Sequence, residues 1–134
     1  MTTTTASVSI PLHRIVDELT TALLPLAVSR RTIILNQIDR DLEIGTDENT
    51  LAYVLWNLLD RAVNSTHNEC IHVESVCYEG SMMIRVRNAG TYFYRNISHN
   101  FRQVQHAAEE LGGSIHIEHM ANTSTVVSFI WRNN

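Results

Sequence analysis

The stretch LAYVLWNLLDRAVNST, residues 51–66, decides how the rest of the chain is read. Leu51, Val54, Leu55, Leu58, Leu59 and Ala62 recur at steps of three and four, the spacing of one long apolar stripe on a helix. Asn57 and Arg61 lie four apart and therefore share another face of that helix. A polar face beside a core stripe suits a helix that lines a pocket. Just upstream, Gly45, Thr46 and Asp47 supply a flexible stop and side-chain oxygens able to cap the helix.

Toward the N-terminus, residues 32–38 and 42–44 read as short extended pieces separated by a polar turn at 39–41. Before them, Leu12, Ile15, Val16, Leu19, Leu23, Leu26 and Ala27 give a helical stripe, with Pro11 expected in its first turn and Pro25 expected to kink or loosen its end. Val8 and Ile10 alternate with serines, a short strand. Toward the C-terminus, Ile71, Val73, Ser75 and Cys77, then Met82, Ile84 and Val86, alternate with polar neighbours around Glu79-Gly80, a hairpin. Arg85 and Arg87 share one face of it, where Glu74 or His72 is a natural cross-strand partner. A loop over 88–100 precedes a helix with Phe101, Val104, Ala107, Ala108 and Leu111 inward, stopped by Gly112-Gly113. Ile115 and Ile117, a turn at 121–123, and Val127, Phe129 and Trp131 complete a second hairpin. This order predicts an α/β (α+β) two-layer sandwich: three helices on one face of a mixed, largely antiparallel sheet, the other face partly solvated.

At 134 residues, with 44% hydrophobic and 18% charged residues, the chain suits one domain over 7–134 after a frayed threonine-rich tail at 1–6. Its net charge of -4 argues against a nucleic-acid partner. Lysine is absent, so ten arginines carry the fixed positive charge, a bias that base composition explains. Cys70 and Cys77 fall on opposite faces of one extended segment, cannot bridge each other, and are expected to be free, mostly buried thiols suited to the cytoplasm. No apolar run is long enough for a membrane span and no leader is expected. The seven histidines form no short ligand repeat with Cys or carboxylates, so scattered surface or hydrogen-bonded roles are expected, and no metal site.

Three strings, in order, carry a resemblance: DLEIGTD (41–47) leading into the opening helix, IRVRNAG (84–90) and EELGGSI (109–115). Together they resemble the ATP-binding domain of sensor histidine kinases, the GHKL or Bergerat fold shared with DNA gyrase and the heat-shock chaperone ATPases. The resemblance covers most of the chain from residue 8 onward. It implies a nucleotide pocket built from Asn57, Arg61, Asn88 and Gly90.

Four departures from the family pattern fall on that pocket. The helix motif Asn-Leu-x-x-Asn-Ala is met by Asn57, Leu58 and Ala62, but Arg61 replaces the second asparagine, and a guanidinium cannot ligate Mg²⁺. Tyr53 stands four residues before Asn57, where active relatives often place an acid or amide, so no carboxylate acts there as a base. Asn88 replaces the aspartate that accepts from the adenine amino group, and Tyr92 replaces the second glycine of that motif. Only ten residues, 91–100, occupy the interval of the long lid, with His99-Asn100 where a glycine pair would cradle phosphate. The phosphoacceptor helical hairpin of complete kinases has no place in this order of elements. Tyr92, Phe93 and Tyr94 either cap the core or anchor a partner. Asn57 also has a plain structural reading, an asparagine bonding neighbouring backbone.

These readings predict a degenerate domain: a non-catalytic signalling module in two-component or related signal transduction, without catalytic residues or cofactor. Its expected partner is a signalling protein, namely a kinase, a phosphotransfer protein or a response regulator. The alternative is an active small kinase of the anti-sigma-factor type, holding ATP or ADP with Mg²⁺.

Overall fold

The computed structural model describes residues 9–89, 101–120 and 124–132. The expected tail at 1–6, Gly90, the short lid interval at 91–100 with its aromatic run, and the turn at 121–123 lie outside the described residues. In chain order the elements are β1 (Ser9–Pro11), α1 (Leu12–Ser29), β2 (Ile33–Gln37), β3 (Glu43–Gly45), α2 (Glu48–Asn64), β4 (Cys70–Tyr78), β5 (Ser81–Ala89), α3 (Phe101–Glu110), β6 (Gly113–Met120) and β7 (Ser124–Arg132).

The helix at the centre of the sequence is also the centre of the helical layer, since α2 packs against both α1 and α3 and lies over β5. All six of its predicted stripe residues are buried, joined by Val63. Asp47 caps it, its Oδ1 accepting from the Asn49 amide at 3.0 Å and its Oδ2 from the Thr50 hydroxyl at 3.1 Å. In α1, Leu12, Ile15, Val16, Leu23 and Ala27 are buried, and the helix continues through Pro25 to Ser29. Pro11 stands one residue earlier than expected. It is the extended N-cap, with ψ of 115°, because its strand pairs with β3.

Five strands form the main sheet in the order β2-β4-β5-β7-β6, with β2 and β4 parallel and every other pair antiparallel. The short pair β1-β3 stands apart and seats Ile10 opposite Ile44, both buried. Alternation along the large sheet sends Ile71, Val73, Met82, Ile84, Val86, Val127 and Phe129 into one core beneath the helices. The other face carries His72, Glu74, Arg85 and Arg87, and Arg87 donates to Glu74 at 3.0 Å, as the hairpin pattern suggested. Glu79 and Gly80 have φ of 47° and 80°, the two positive values of a tight hairpin turn whose twist matches the strands.

Two further expectations are corrected. Cys70 and Cys77 are both exposed free thiols rather than buried ones. Cys70 opens β4 on the helix-free face, and Cys77 lies where the hairpin runs beyond the helical layer, its neighbours through Gly80 all exposed. Asn88 does not begin a loop: β5 continues through it, paired with Ile71 on one side and Thr125 on the other.

Candidate functional site

The site expected from the resemblance divides into a helix half and a strand half. On α2, Asn57 is half-buried and donates its Nδ2 to the Tyr53 carbonyl at 2.7 Å, the local back-bond that its plain structural reading predicts. Tyr53 itself is exposed. Arg61 is also half-buried, one turn further on in the last turn of α2, and is not without a partner. A cation approaching this face meets one neutral amide oxygen, from Asn57, and a guanidinium with no acceptor. Mg²⁺ requires near-octahedral oxygen ligation, usually with carboxylate support, so these residues do not fit it.

On the strand half, inward alternation places Asn88 under the end of α2, where it is 1% exposed. Its Nδ2 donates to the Thr66 hydroxyl at 3.0 Å. Thr66 follows α2, is equally buried, and spends its single proton on the Ala62 carbonyl at 2.6 Å. The hydroxyl can therefore only accept from Asn88, which fixes the amide orientation and turns Oδ1 away from Thr66. That oxygen is buried and has no hydrogen-bond partner among the described residues. A buried acceptor left open costs on the order of 1–3 kcal/mol, which is the condition of a group kept for a donor from outside. An exocyclic amino group of a base suits it.

Thr66 and Thr125 escape the sequence reading although a signal for Thr125 exists. It is in phase with Val127, Phe129 and Trp131, which places it inward, and it is 0% exposed opposite Asn88. Thr66 carries no such periodic mark, since it sits in the loop after α2. The last predicted pocket residue, Gly90, lies outside the described residues.

His72 Nδ1 is 2.9 Å from the Gln37 amide oxygen, His116 Nε2 is 3.0 Å from the Ser114 hydroxyl, and His106 faces Glu110 at 4.0 Å on the surface of α3. Among the described residues no three His, Cys, Asp or Glu side chains converge as metal ligands, and no helix is long and apolar enough to cross a membrane.

Comparison of the architecture with solved structures identifies it. The chain superposes on the Acinetobacter baumannii histidine kinase AdeS with a TM-score of 0.82, covering 95% of this chain and 67% of that one at 12% identity. It matches the catalytic domain of histidine kinase ThkA with a TM-score of 0.78, at 18% identity over 94% of this chain and 95% of that one. The fold is the GHKL fold of histidine kinase catalytic domains. A third match, at 0.78 and 18% identity over 95% of this chain and 42% of that one, is ThkA solved in complex with the response regulator protein TrrA. No protein-family model matches the sequence, and no curated protein does. The shared architecture shows the fold alone, since packing needs only apolar periodicity whereas ligation needs particular atoms.

Proposed function

We propose that this GHKL domain is a non-catalytic signalling module that binds another signalling protein, a kinase, a phosphotransfer protein or a response regulator, in the cytoplasm. The observation that carries the reading is Arg61 beside Asn57 on the polar face of α2. A guanidinium there offers no lone pair to a metal and puts fixed positive charge on the face where a cation would have to be held, and like charges repel. Asn57 supplies no compensating charge, and Tyr53 supplies no base. The ten-residue interval 91–100 leaves little chain for a closing lid. The core beneath α2 is complete, so the fold persists as a surface, and the pairing of a similar domain with a response regulator supports a partner of that class. Calorimetric titration with ADP and ATP, with and without Mg²⁺, tests the proposal. No saturable heat is expected in any arm; micromolar affinity would overturn it.

One observation favours a second reading, an active nucleotide-binding domain of a small kinase: the open, buried Oδ1 of Asn88. Under that reading ATP or ADP binds through its base to Asn88. The same titration distinguishes the two, because this reading requires binding.

A further inference from the structure

A pocket of about 370 Å³ opens where β2 and β4 begin, lined from the helix-free face by Cys70, His72 and Arg87 and reaching Asn88 at the sheet. Its position is set by two laced loops. Asn68 N–H donates to the Arg30 carbonyl and Ile33 N–H to the Glu69 carbonyl, each at 3.0 Å, so the loop after α1 and the loop after α2 form one wall. The opposite wall comes from His72 and Arg87, cross-strand neighbours on the outward phase of β4 and β5. Asn88, the strand half of the site above, also borders it, whereas Asn57 and Arg61 do not.

Two arginines stand in the wall. Arg31 and Arg87 bring two guanidinium groups against one lining carboxylate, that of Glu69. Arg87 is held by Glu74 on one side yet is 40% exposed along its side chain. Arg31 is exposed and its guanidinium has no hydrogen-bond or ion-pair partner among the described residues. It also occupies an awkward backbone position. The α1 terminus closes with Thr32 N–H on the Ala27 carbonyl at 2.9 Å and Arg31 N–H on the Val28 carbonyl at 3.0 Å, which forces Arg31 to φ of 53°. Glycine is the usual residue there, because a Cβ is strained in the left-handed region. Asn68, across the mouth, is left-handed too, with φ of 59°. An arginine at a left-handed position that glycine suits better, lining a pocket and without a partner among the described residues, is suited to a ligand rather than to the fold.

We propose that this pocket binds a small phosphate monoester. Arg31 and Arg87 would grip the oxyanion through paired N–H donors, the geometry guanidinium offers to phosphate. The Asn68 amide adds a neutral donor, and His72, oriented by Gln37, borders the site. The side chain of Ile33, 58% exposed at the rim, gives the organic part of the ester an apolar contact. A volume near 370 Å³ lies within the range of small-molecule sites.

The test is an NMR titration of the full chain with inorganic phosphate and, separately, with phenyl phosphate, at constant ionic strength so that general screening does not vary. Saturable shifts confined to Arg31, Asn68, His72 and Arg87 are expected, with phenyl phosphate the tighter probe. Arg31→Gly should weaken binding by about tenfold, without lowering the melting temperature, since glycine relieves the backbone. Arg87→Gln is the second variant and should weaken binding similarly. Shifts that grow linearly without saturation, or affinities unchanged in both variants, would overturn the proposal.

Discussion

Leu58 and Asn57 are neighbours on one helix and answer to different demands. Leu58 is 1% exposed in the stripe that joins α2 to the sheet, whereas Asn57 sits half-buried on the polar face and, among the described residues, bonds its own helix. The stripe is complete through seven buried residues, while the face beside it carries the neutral amide of Asn57 and the guanidinium of Arg61. The difference teaches that fold and chemistry are written on separate faces of this helix. Core positions accept any apolar side chain of the right size, so the architecture tolerates change at the site.

That separation can be broken by substitution, beginning with the largest effect. Leu58→Ala should destabilise the domain by about 3 kcal/mol in urea denaturation, as for deletion of a fully buried leucine that leaves a cavity. A loss well under ~1 kcal/mol would mean that the stripe is not what holds α2 down.

Asn88→Leu sharpens the contrast on the strand half. Leucine has a similar branched shape and removes the open buried acceptor, so a gain of about 1 kcal/mol is expected in thermal or chemical unfolding. A gain would identify Asn88 as a group held at the expense of stability, the signature of a site. A clear loss would instead make its bond to Thr66 structural.

The smallest effect belongs to Asn57→Ala. Asparagine is a poorer helix former than alanine, and the back-bond to Tyr53 is local, so stability should change by less than ~0.5 kcal/mol, in either direction. Circular dichroism melting checks this. A loss above ~1 kcal/mol would show that Asn57 makes a tertiary contact and would blur the two faces.

Much of the candidate site was legible in the chain, but not its state. The string of residues 84–90 pointed to Asn88, and the spacing of Asn57 and Arg61 placed both on one face. The sequence did not reveal that Asn88 is buried, that Thr66 fixes its amide, or that one acceptor is left open, because the two residues are 22 apart and meet only when α2 closes over β5. The expected burial of the cysteines failed for a similar reason: period-two alternation says which face a residue takes, not whether anything covers that face.

Local order was determined by the sequence alone. The three- and four-residue steps fixed α1, α2 and α3, alternation fixed the strands, Asp47 fixed a helix start, and Glu79-Gly80 fixed a hairpin, since each of these depends on side chains within one turn or one pleat. Tertiary structure decided what those elements meet. It set β2 parallel to β4 across the whole of α2, laced Arg30 to the carbonyls of Val63 and Asn64, and seated Gly113 so close to Phe129 and the Ile130 carbonyl, 2.7 and 2.6 Å from where a Cβ would stand, that only glycine fits. Such contacts join segments far apart in the chain and form only when apolar faces come together, so no local spacing can announce them.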